Sequence, residues 1–454
     1  MKRIVAKLFF CVFAYAFSAM YFIREYLVAL MPLSTNGNIG GDPQYYLVLA
    51  QKILTAINTN GFNAYELRPE GQGISGVAAL LFLIYDNIYS IVLVNALLHA
   101  TSVAVIVLLL RMWFTLHTSI IASLPLAISP YMIVWFSQIN KESFVITGGV
   151  LFVYGFVKLY ESAKDDISGK SGLQSLVMAV SGLFLIFLMR PYVNQILLPI
   201  ISIVFLIRSV YCASTGLKPW ILIRFLSYAS VLIVTCSALG TGAVSDSTLN
   251  GFDNYADASM QSHKSEKIYV QCLSFIDASV WHDAEFMPSI VNKKIKALMA
   301  NRCLIFSTLE GQRNLATIYS FTDTNIFPKT TIEGLEYIPR GALIGVFSPW
   351  PDHWFYNFKN EISLFYTIVP FEALFFYMGM IALILWGGRK RDALIIIPVG
   401  LSVSMMAVYG VAVPYLGALY RYRYTWWMLI LCFGFAALID LYKSWHSHHA
   451  YQGK

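Results

Sequence analysis

"IYSIVLVNALLHATSVAVIVLLL", residues 88–110, carries no Lys, Arg, Asp or Glu in 23 positions. A helix needs about 20 apolar residues to cross the hydrocarbon of a bilayer, so this run decides the class of the chain. Nine other stretches come near the same length and character, around 7–31, 120–136, 144–160, 176–190, 192–208, 219–240, 363–387, 394–416 and 425–442. The 454 residues are 57% hydrophobic and 13% charged, against about 25% charged residues in a soluble domain. The expected fold is all-α, a polytopic membrane protein of about ten transmembrane helices with amphipathic helices in its outer loops. The run Ile74–Tyr85 is too short to cross and is expected to dip into the membrane or lie half buried.

Short loops rich in Lys and Arg stay on the cytoplasmic side. With the N-terminus inside and ten crossings, fifteen basic residues fall inside, seven in short outer loops and ten in one long outer loop. The "GGRKRD" cluster at 387–392 is among the inner ones. An odd number of crossings would put either that cluster or the N-terminus outside. The net charge of +7 is thus a property of inner loops, and no basic face of the kind nucleic acid requires is evident; no nucleic-acid partner is expected. A cleaved signal peptide at "MKRIVAKLFFCVFAYAFSA" competes with this reading, but apolar character resumes at Tyr26–Met31 and reads as one tilted helix. The chain then divides into an N-terminal transmembrane module, 1–240, with a first outer loop at 32–75, a long outer loop, 241–362, and C-terminal helices with a cytoplasmic tail, 363–454. Cys272 and Cys303 are the only cysteines in the long loop and are a disulfide candidate in an oxidising compartment.

Several chemistries have no motif here. There is no GxxxxGK[ST], HExxH or CxxC, and no Asp-x-Asp in an outer loop. No inner loop is long enough to build a nucleotide site, so an activated substrate has to arrive on the outer face or from within the bilayer.

Five groups of outer residues remain. In "GGDPQYYLVLAQKIL", Gly40–Leu54, Asp42 precedes Pro43 at a helix start, an arrangement that fits a helix cap as well as a catalytic carboxylate. Tyr46, Leu49, Ala50 and Ile53 would form an apolar stripe on that helix, suited to a membrane surface. "SQINKES" puts Lys141 and Glu142 in an outer turn, and "LMRPYVN" puts Arg190 and Tyr192 at another. "YRYRY" puts Arg421 and Arg423 at the last outer turn, with Tyr420 beside them, and Arg340 lies in a Pro-rich segment returning the long loop to the membrane. Charges at membrane depth are costly and mark function, although Arg and Tyr also anchor helices at the interface. Guanidinium forks pair phosphate oxygens bidentately, which suits a phosphate-bearing lipid.

The Gly-Asp-Pro-x-Tyr-Tyr start after a first crossing, followed by the Pro/Gly-marked short helix in "LRPEGQGISGVAALLFLIYDN", is similar to the GT-C superfamily of integral-membrane glycosyltransferases. The "KES" and "RPY" turns resemble motifs of bacterial members. That resemblance covers about residues 1–200 and implies a polyprenyl-phosphate-linked sugar as donor, a catalytic acid at the position of Asp42, and a glycan or lipid-linked acceptor. It implies an active face in the periplasm of a bacterial inner membrane. Members often show Asp-Glu or Asp-Asp where this chain has Gly-Asp-Pro. The expected mechanism needs no cofactor, and a divalent metal stays an open alternative.

Two rivals use the same features. An oligosaccharide polymerase or ligase handles the same lipid phosphate but lengthens a repeat-unit glycan. A lipid-linked glycan transporter would show inverted repeats and charged midplane helices, whereas Glu372 is the main charge at that depth. The layout itself is open to test. Reporter fusions after Asp392 and near Asp283 are expected to report opposite sides of the membrane, and the same side for both ends the ten-crossing layout.

Overall fold

The computed structural model describes residues 2–30, 41–162, 169–214, 219–241, 281–310, 322–323, 326, 328–351 and 364–452. The described residues are all-helical, 86% helix, with no strand among them. Among the described residues eleven α-helices precede the long loop: α1 (Lys2–Leu30), α2 (Gly41–Asn60), α3 (Gly73–Ile84), α4 (Tyr89–Leu110), α5 (Leu116–Ala122), α6 (Leu124–Ile128), α7 (Pro130–Phe136), α8 (Glu142–Ser162), α9 (Gly169–Met189), α10 (Pro191–Ser214) and α11 (Pro219–Thr241). They are followed by α12 (Ser289–Glu310), α13 (Thr331–Phe347), α14 (Leu364–Lys390), α15 (Ile396–Ala412) and α16 (Leu416–Gln452).

Each of the ten apolar stretches is mainly helical among the described residues. Among the described residues seven helices are long and apolar enough to cross: Arg3–Ala29, Tyr89–Leu110, Glu142–Glu161, Ser171–Met189, Pro191–Val210, Pro370–Lys390 and Leu416–His446. An eighth is a broken pair, Leu116–Ile128 with Pro130–Phe136, bent by 51°. The bend falls at Ser129, whose extended ψ of 117° is what a following proline imposes. The stretches expected at 219–240 and 394–416 are shorter apolar helices, Phe225–Gly240 and Ile396–Ala412. Arg224 lies within α11, which runs Pro219–Thr241, and Pro414 follows the second. Seven apolar helices of this length mark a multi-pass membrane protein.

The chain forms two compact units: Met1–Ser247 with Phe376–Val399 and Met428–Lys454, and Thr248–Phe375 with Gly400–Trp427. The C-terminal segment expected as one module is thus shared between the two.

In the first unit α1 and α8 pack on α4, α9 packs on α8, and α10 and α11 pack on each other and on α9. Helices in lipid gain no hydrophobic drive from meeting, so they associate where small residues let their backbones touch. At Gly148 of α8 an added Cβ would meet the Gly182 carbonyl oxygen at 2.7 Å, and at Gly182 of α9 it would meet Phe152 N at 2.5 Å. The α2 stripe is buried rather than laid on a membrane surface. Tyr46, Leu49, Ala50 and Ile53 are 8%, 5%, 0% and 7% exposed, because α3, short and apolar, packs on it through Ile74, Ala78, Ala79 and Phe82.

Gly182→Leu is expected to cost about 1–3 kcal/mol, the usual penalty of overpacking. It would show as a lower unfolding temperature of the purified chain, while Leu at the uncontacted Gly400 leaves that temperature unchanged.

Candidate functional site

The first unit brings together α2, the α7–α8 turn, the α9–α10 break and the segment before α3. Asn95 of α4 sets the turn. Its amide donates to the Phe136 and Gln138 carbonyls at 2.8 and 3.1 Å, and its Oδ1 accepts from Ser143 Oγ at 2.6 Å. Fixed in this way, the turn presents Asn140, Lys141 and Glu142. Pro191 ends α9 and starts α10, leaving Arg190 at the break.

Arg190 donates to Glu142 Oε1 at 2.6 Å, with side chains 6% and 5% exposed. Glu142 Oε2 has no hydrogen-bond partner among the described residues. Lys141, beside Glu142, donates to Gln72 Oε1, and its ammonium lies 4.8 Å above the Tyr46 ring. Tyr46 is one helical turn from Asp42 on the same face of α2. Asp42 is half buried in the first turn of α2, one place inside the helix start rather than before it. A carboxylate there is favoured by the helix dipole. Tyr45 donates to Glu70. Tyr192 lies in the first turn of α10, half buried.

Sequence reasoning passed over Arg68, Glu70 and Gln72. Arg68 stacks 5.1 Å from the Phe187 ring and donates to the Gly71 carbonyl at 3.4 Å, and its Nε has no partner among the described residues. Burial lowers its pKa from the ordinary arginine value. The signal was present in "LRPEGQG", where the chain turns tightly enough to put Glu70 at φ 49°.

The second unit uses its cations differently. Arg423 is 1% exposed. It donates to the Gly345 carbonyl at 2.5 Å, to Ser348 Oγ at 3.2 Å and to the Ser348 carbonyl. Arg340 grips Asp323 with two bonds of 2.8 and 2.5 Å. Burial pushes the Asp323 carboxyl up, but the Arg340 hydrogen bonds and charge outweigh it, and its pKa lies below the ordinary value. Donors expected to face a phosphate are therefore engaged with carbonyl and carboxylate oxygens of the chain itself. Tyr420 donates to Glu372, which Tyr424 also contacts at 3.4 Å. Arg421 is half buried. Arg190 belongs to one unit and Arg421 and Arg423 to the other.

Cys272 lies outside the described residues, and only the helical backbone of Cys303 is described. Among the described residues no three His, Cys, Asp or Glu side chains gather as metal ligands. Compared with known families, curated proteins and solved structures, the chain matches none.

The arrangement in the first unit can hold an anion beside a carboxylate. Lys141 and Arg68 supply charge and donors, Glu142 fixes Arg190, and Asp42 heads the helix on which Tyr46 and Lys141 meet. Removing one partner of a buried pair leaves the other uncompensated, at about 3–5 kcal/mol. Arg190→Met and Glu142→Gln are each expected to destabilise the purified chain by that order, and the double variant by clearly less than their sum. Additive losses in a thermal-unfolding cycle would show that the pair does not couple.

Proposed function

We propose that the chain is a bacterial inner-membrane glycosyltransferase, moving a sugar from a polyprenyl-phosphate donor to a glycan or lipid-linked acceptor on the periplasmic face. The observation that carries this reading is the Lys141 contact on Tyr46, one turn from Asp42. It supports a cation and a carboxylate sharing one polar site in a chain whose other segments are membrane helices. The sequence charge balance supports the outer side for that site.

On this reading Asp42 takes the proton of the acceptor hydroxyl. The acceptor oxygen bonds to the anomeric carbon as the bond to the donor phosphate oxygen breaks, and the polyprenyl phosphate leaves with its negative charge. Lys141 and Arg68 offset that developing charge, with donors already held by Gln72, Tyr46 and Phe187. Arg190, paired with Glu142, holds in place the turn that carries Lys141.

Asp42→Asn separates the base from a helix-start residue, because Asn serves a helix start about as well as Asp. In vesicles supplied with lipid-phosphate sugars, turnover is expected to fall about 10²–10⁴-fold with unchanged insertion. A variant working near the native rate returns Asp42 to a structural role.

A further inference from the structure

In the second unit α13 is split along its length. Residues 331–340 include Glu333, Glu336 and Arg340, while 341–347, "GALIGVF", include no charge. The charged half belongs to a polar layer. Arg340 holds Asp323, Tyr337 reaches the same carboxylate at 3.2 Å, and Arg302 donates to the Thr322 carbonyl at 2.7 Å. That layer sits on the turn Val413–Tyr415 between α15 and α16, since Thr322 N donates to the Pro414 carbonyl at 2.9 Å. Asn301 also reaches the Ala412 carbonyl at 3.3 Å.

The apolar half runs away from this turn. An added Cβ at Gly341 would meet Val411 Cα at 2.9 Å, and one at Gly345 would meet the Met406 carbonyl oxygen at 2.0 Å. As α13 advances its contacts on α15 step backwards, so the two helices are antiparallel with their backbones touching. Met406 lies about 9 Å along α15 from Ala412 at 1.5 Å per residue. Arg423, which binds the end of α13, lies about 10 Å along α16 from Leu416 by the same rise. Two independent counts therefore put the end of α13 at one depth below the turn. α16 is a candidate span and α15 a shorter apolar helix, and we take that depth to lie within the hydrocarbon.

A helix end at this depth leaves carbonyls that no water can satisfy, each at a cost of several kcal/mol. A buried arginine there is costly as well. The two needs are met together by Arg423 on Gly345 and Ser348. Meanwhile Leu343 is 52% exposed and Trp350 37% exposed. We propose that residues 341–350 form a re-entrant membrane segment, with Leu343 and Trp350 facing lipid acyl chains and its open helix end closed by Arg423. The occupant of that face is the bilayer itself. The segment carries no charge along 341–350, and it packs along α15, itself an apolar helix. The inference is independent of the reaction catalysed.

The test uses the full chain freed of its own cysteines, with a single environment-sensitive fluorophore at Leu343→Cys or at Glu336→Cys, reconstituted into phosphatidylcholine vesicles. Acyl-chain-brominated phosphatidylcholine is expected to quench most of the signal at 343 and little at 336, and aqueous iodide the reverse. If Leu343→Cys does not insert, Trp350→Cys serves with the same expectation. Quenching of the apolar-half probe by iodide, or by neither agent, overturns the proposal.

Discussion

The contact between Glu142 and Arg190, 2.6 Å and almost wholly buried, joins the start of α8 to the break between α9 and α10. Neither charge is tolerable at that burial without the other. The pair therefore fixes which ends of these helices meet, and the glycine contacts at Gly148 and Gly182 set how closely. With those fixed, the α7–α8 turn has one place to go. Asn95 anchors it from α4, and Lys141 is left pointing to α2 and to the segment that starts α3.

The same constraint recurs in the second unit with another solution. Arg423 spends donors on the backbone at the end of α13. An arginine at a helix turn thus serves two needs in this chain. At Arg190 it balances a buried acid, and at Arg423 it completes a helix that stops inside apolar surroundings. Arg340, by contrast, remains largely exposed while pairing with Asp323.

Much of the fold was legible because apolar runs of this length have one stable form in lipid. Sequence placed Lys141, Glu142 and Arg190 at turns, and the structure joins those turns. What sequence missed depended on partners. Nothing in "YRYRY" shows that Arg423 meets a carbonyl from residue 345, since the two are far apart in the chain and the acceptor is backbone. The α2 stripe has the period of a surface helix, and only the presence of α3 buries it. The stretch expected at 394–416 ends as a helix at Ala412, just before Pro414, a matter of a few residues that hydropathy alone does not resolve. Arg68 was counted for its charge alone, because its ring partner, Phe187, lies on another helix.

The central claim is that the polar site of the first unit recognises a phosphate carried on a lipid. It is tested most directly without knowing the sugar or the acceptor, by native mass spectrometry of the full chain in the presence of polyprenyl phosphate and of polyprenol of equal chain length. The account predicts retention of the phosphate lipid over the alcohol, with that preference lost in a Lys141→Ala, Arg68→Ala double variant that still inserts. Equal retention of the two lipids by the unaltered chain would contradict it.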